Sequence, residues 1–142
     1  MPNAVKWATG TSRTTGISSA SLAAGANLLG SAIDNATNKD RWMTCKLTWT
    51  CGTAATADKA IELYVLYAVD GTNYEDGDAT PTDPHKGMAA VFFDDGGTGA
   101  QKQTVVSVPL MPFKFKLLLK SELDQTASSV TLLAYTHNEE IQ

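Results

Sequence analysis

The sequence predicts an all-β protein, an antiparallel β-sandwich or jelly roll of about seven or eight strands, with an extended N-terminal arm. Three observations predict it. Residues 60–69 alternate with a period of two: Ile61, Leu63, Val65, Tyr67 and Val69 lie on one side, Glu62, Tyr64 and Leu66 on the other. Residues 41–51 alternate as cleanly, with Met43, Cys45, Leu47, Trp49 and Cys51 facing in and Trp42, Thr44, Lys46, Thr48 and Thr50 facing out. Clusters of Gly, Pro, Asn and Asp punctuate the chain, and no amphipathic run of about ten residues offers a helix. A strand with one apolar face needs a second layer over it, so two facing sheets follow.

Taken in order, residues 1–16 are rich in Thr, Ser and Gly, with Val5 and Trp7 as isolated apolar positions. They read as an extended arm that pairs with another surface, such as a neighbouring subunit. Residues 17–142 then form a single sandwich domain. Residues 17–33 combine Ala, which favours helix, with Gly25 and Gly30, which interrupt each candidate turn, so an irregular strand pair or one short strand is expected there. Residues 34–40 are a turn. The strands at 41–51 and 60–69 are expected to be antiparallel neighbours, because no crossover helix fits between them.

Residues 70–86 make a long loop containing Pro81, Pro84 and the carboxylates Asp70, Glu75, Asp76, Asp78 and Asp83. A short apolar strand over 87–93 leads into a hairpin-type turn at 94–99. A strand over 101–110 follows, with Thr104, Val106, Val108 and Leu110 on one face, and Pro109 barring a central place in the ladder at that point. Residues 112–120 turn Phe113, Phe115, Leu117 and Leu119 inward and Lys114, Lys116 and Lys120 outward, which suits an edge or an open face. Residues 129–137 close the fold, with Val130, Leu132 and Ala134 opposite Leu133 and Tyr135.

Composition narrows the function. With 142 residues, 43% of them hydrophobic and 18% charged, the chain has an ordinary globular balance. A net charge of -4, with its 11 basic residues scattered, argues against a nucleic-acid groove. No apolar span approaches the ~20 residues that cross a membrane. The start, Met1 to Trp7, lacks the apolar core of a signal peptide, so synthesis in the cytoplasm is expected, and the sequon at Asn35 and Thr37 is expected to go unused.

No motif specifies a reaction. Cys45 and Cys51 lie six apart on one strand, roughly 20 Å at about 3.3 Å per residue, too far for a disulfide that needs Cα atoms within about 7 Å. They read as buried hydrophobes, and no metal or cofactor is expected. The acidic loop has oxygen ligands for Ca²⁺, but its spacing does not match an EF-hand, so a solvated turn is expected. Asp94 and Asp95 read as a turn tip rather than an acid/base pair. His85 and His137 lack any nucleophile context and read as surface histidines. Trp49 belongs to the core. Trp42 faces outward, and with Val5, Trp7 and Tyr74 it makes the set of candidate partner-binding residues.

The run from Ile61 to Leu66, the Asp70-Gly-Thr-Asn-Tyr-Glu-Asp-Gly77 loop and the later Val108-Pro-Leu-Met-Pro-Phe-Lys-Phe-Lys-Leu117 together resemble a group of small virion proteins of tailed bacteriophages. The resemblance spans residues 28–136 and carries no catalytic residue. It implies a non-enzymatic structural protein that decorates or cements the capsid by bridging subunits, or that forms part of the tail. The implied location is the virion. The implied partners are the major capsid protein or other virion proteins, with self-association as a homo-oligomer, a trimer being favoured. A carbohydrate- or receptor-binding module is the alternative, and it would use exposed aromatics such as Trp42, Tyr64 and Tyr74.

Overall fold

A computed structural model describes residues 5–7, 11–14, 17–76, 83–84 and 86–141, with the backbone alone at 5–7, 11–14, 106 and 139–141. The strands, in chain order, are β1 (Val5–Trp7), β2 (Thr11–Thr14), β3 (Ala20–Leu22), β4 (Asn27–Leu29), β5 (Trp42–Cys51), β6 (Ala60–Ala68), β7 (Ala90–Phe93), β8 (Ala100–Pro109), β9 (Lys114–Ser121), β10 (Ala127–His137) and β11 (Glu139–Ile141). No helix occurs among the described residues.

Two antiparallel sheets pack face to face. The larger runs β2-β10-β5-β8, with β3 sharing the outer edge of β10; the smaller runs β4-β9-β6-β7. The predicted inward faces meet between them. Met43, Cys45, Leu47, Trp49 and Cys51 of β5 oppose Ile61 and Leu63 of β6 and Phe115, Leu117 and Leu119 of β9, all buried. Val130, Leu132 and Ala134 of β10 and Phe92 of β7 complete the core. Each such large apolar side chain contributes about 1.5–3 kcal/mol when taken from water.

The faces agree with the sequence, but several neighbours do not. The strands at 41–51 and 60–69 are not paired: β5 lies between β10 and β8, and β6 lies between β9 and β7. Two strands that each carry one apolar face can bury those faces against each other across the layers, and here they do. The turn at 94–99 likewise joins opposite sheets, β7 to β8, and β3 and β4 fall in opposite sheets too. These connections arch over the core instead of folding back as hairpins.

Two details of the strands also differ. Val69 is 69% exposed because β6 stops at Ala68, where the amide of Gly71 turns back onto its carbonyl. In β8 a register shift around Ser107, whose φ is 57°, flips the facing side, so Thr104 is exposed while Val108 and Leu110 are buried. Of the two places that suit the lysines of β9, an edge or an open face, the structure has the second: β9 is central and its lysines stand on the outer face of the smaller sheet.

Within 1–16, both described pieces pair with the end of their own chain. β1 and β11 form a separate ribbon in which Val5 faces Ile141 and Trp7 faces Glu139, and β2 lies along β10 from Thr14 opposite Leu133 to Thr11 opposite Thr136.

Candidate interaction flank

β7 is only four residues long, against nine for β6 and ten for β8. It covers β6 from Ala60 to Leu63 and no further. Beyond that point the loop after β6 stands in for the missing strand. Lys86 Nζ donates to the carbonyl of Val65 at 2.7 Å, the amide of Tyr67 donates to Glu75 Oε2 at 2.9 Å, and the amide of Glu75 donates to the carbonyl of Tyr67 at 3.1 Å. A Lys86–Glu75 ion pair of 2.6 Å locks the two together, with Lys86 Nζ 5.2 Å from the centre of the Tyr67 ring.

These contacts satisfy backbone groups without filling the volume of a strand. A groove of about 260 Å³ therefore opens between β6 and β8, floored by Val65, Tyr67, Ala89, Val108 and Pro109, with Lys86 and Met88 on its rim. Met88 is 49% exposed, and Met111, whose amide donates to Tyr67 Oη at 3.2 Å, is 56% exposed. At the lower corner Phe93 is 55% exposed, and its carbonyl accepts from the Gln103 side chain. Beside the groove runs β8, which among the described residues has β5 as its single strand neighbour. A sheet edge, an apolar groove and three exposed hydrophobic side chains thus share one flank.

The lower end of this flank is held by a carboxylate. Asp94 is buried, and its Oδ2 accepts from Trp49 Nε1 at 2.8 Å and lies 3.8 Å from Cys51 Sγ. Its Oδ1 accepts from the Gly96 amide at 2.8 Å, and its backbone bonds to Asp58 and Lys59. Burial pushes its pKa up, but the indole and amide donors outweigh burial and hold the carboxyl below the ordinary 3.8. Asp94 is thus an anchor for the arch connections, with its partner Trp49 in the core as expected. Asp95 accepts from the Gly97 amide at 2.8 Å, which closes the turn tip.

The other sequence-derived candidates are dispersed. Trp42 is half-buried on the outer face of the larger sheet, opposite His137 and Pro109, and its indole N–H is buried without a hydrogen-bond partner. Tyr74 lies on the outer side of the smaller sheet, its ring 4.4 Å from Lys116 Nζ. Trp42 and Tyr74 are therefore on opposite faces of the sandwich. Tyr64 is buried on the same side as Tyr74, in a second apolar cluster with Leu66 and Leu118, and donates to Glu62 at 2.6 Å. The backbones of Val5 and Trp7 are engaged with β11, and their side chains lie outside the described residues, as does His85.

Carboxylates of the acidic loop are drawn into internal contacts. Asp70 accepts from the amides of Thr72 and Asn73 and from the Asn73 side chain, and Asp83 accepts from Asn27 and pairs with Lys120. Among the described residues no group of three His, Cys, Asp or Glu side chains is placed to hold a metal ion. Asn35 of the sequon is buried, clamping Asp40 and the carbonyl of Met111 at 2.9 Å each. Sequence reading missed the flank itself, since its parts come from residues 65–67, 86–93 and 102–111 and meet only because β7 is short.

No protein-family model matches the chain, and neither a curated protein nor a solved structure is significantly similar to it.

Proposed function

We propose that this chain is a non-enzymatic virion structural protein of the tailed-bacteriophage kind, decorating or cementing the capsid by bridging its subunits. The observation that carries this reading is the flank, where an open ten-residue edge, an apolar groove and the exposed Met88, Met111 and Phe93 coincide. Sites of that composition suit binding to other proteins, because backbone edges give adhesion and apolar pockets give register. A rigid sandwich repeated around a symmetric shell multiplies modest contacts through effective concentration, and it stabilises whatever assembled state it binds better than the loose subunits.

The partners on this reading are the major capsid protein or other virion proteins, together with further copies of the chain. A tail component is the variant of the same reading. The carbohydrate-binding alternative finds less support, since Trp42 and Tyr74 occupy opposite faces and Tyr64 is buried. The experiment is quantitative mass spectrometry of particles made from the genome that encodes the chain. Hundreds of copies per particle are expected for a shell protein, a handful would move it to the tail, and absence from the particle would overturn the proposal.

A further inference from the structure

We propose that β8 is the strand by which two copies of this chain join, pairing antiparallel across a two-fold axis so that their larger sheets run on as one. The inference rests on reading the flank as a contact surface; it names a second copy as the occupant of the β8 edge and leaves the groove and the exposed Met88 and Met111 to the capsid. Among the described residues β8 is ten residues long with a strand on one side only, whereas the other sheet edges, β7, β4, β2, β3, β1 and β11, are three or four residues each. An unpaired edge presents a row of N–H and C=O groups that another strand can satisfy. An occupant of matching length must itself carry a long free edge, and among the described residues β8 is the one strand that does. A two-fold axis satisfies both edges with a single self-complementary contact.

Charge permits this. No acidic residue occurs between Ala100 and Pro109, and Lys102 is the one cation there. Only the register centred on Lys102 sets two ammonium groups opposite each other; every other register sets each lysine against a neutral residue. The register shift at Ser107 and the proline at 109 end regular pairing, which leaves residues 100–105 as the contact segment. Phe93 meets this segment through its backbone carbonyl, which accepts from the Gln103 side chain, while its ring, paired with Ala60, stands on the outer face of the smaller sheet and clear of the seam.

The test is sedimentation velocity of the full chain across a wide concentration range, with amide hydrogen exchange at the two extremes. A concentration-dependent dimer is expected, with exchange of the 100–105 amides slowed at least tenfold in the concentrated sample, and Thr104→Lys is expected to weaken the dimer several-fold without loss of folding. A monomer at every concentration, an odd-numbered assembly, or a dimer whose β8 amides exchange unchanged would each overturn the proposal. So would protection of β8 that arises only when capsid shells are added. None of these results alters the count of copies per particle, so failure here is distinguishable from failure of the virion reading.

Discussion

Asp94 decides more than its position in a turn suggests. Its carboxylate joins the core indole of Trp49 to the amide of Gly96, and Gly96 itself holds φ 77° with the space for a Cβ taken by Ala57 at 3.2 Å. Asp94→Ala leaves the buried indole N–H without an acceptor and is expected to cost about 2–4 kcal/mol in urea unfolding. Because the folded carboxyl is held below 3.8, its contribution is complete above that value and fades as the pH falls through the folded one. The stability curves of wild type and Asp94→Ala should therefore converge at acidic pH. Curves that stay parallel down to acid unfolding would contradict the charged anchor. Gly96→Ala should cost about 1–3 kcal/mol through strain at positive φ and crowding against Ala57.

The cysteines give an independent check at the same scale. Both are buried, and burial alone pushes the Cys45 thiol up to about 12. Neither should react with iodoacetamide at pH 8 until the chain unfolds. Fast labelling of the native protein would show that the β5 face does not lie in the core. The inward parity of Cys45 and Trp49 was legible in the alternation of residues 41–51. The role of Asp94 was not, because its acceptor geometry depends on an indole 45 residues away.

At the scale of the strand, the loop that replaces the upper half of β7 makes a sharp prediction. Glu75→Ala removes the acceptor for the Tyr67 amide and the partner of Lys86. It should speed hydrogen exchange at Tyr67 while costing about 1–2 kcal/mol overall. Unchanged exchange there would mean that β6 does not depend on the loop. The period-two pattern revealed which side of each strand turns inward, since burial alone sets that periodicity. It could not reveal which strands are neighbours. A strand such as β6 has the same apolar face whether β5 lies beside it or across from it, and the residues at 52–59 or 94–99 can make a hairpin or an arch. Nor could parity survive the shift at Ser107, where one serine in a left-handed conformation moves burial from the 101–105 set to Val108 and Leu110.

Over the whole molecule, the arches stitch the two sheets together, and the N-terminal segment adds β2 to the outer edge of β10. Removing residues 1–16 therefore strips a strand from the larger sheet as well as the ribbon with β11, so loss of binding after such a deletion would not by itself identify an arm. The flank is better tested by residues that stand outside the core. Met88, Phe93 and Met111 are each about half exposed, and surface substitutions of this kind usually change stability by no more than about 0.5 kcal/mol apiece.

The most direct measurement is particle retention of the triple variant Met88→Ser, Phe93→Ser, Met111→Ser, compared with wild type after matched thermal unfolding of the free proteins. If the flank is the contact surface, the variant keeps its melting temperature within a few degrees and falls off purified particles. A variant that folds normally and stays on the particle as firmly as wild type would contradict the account.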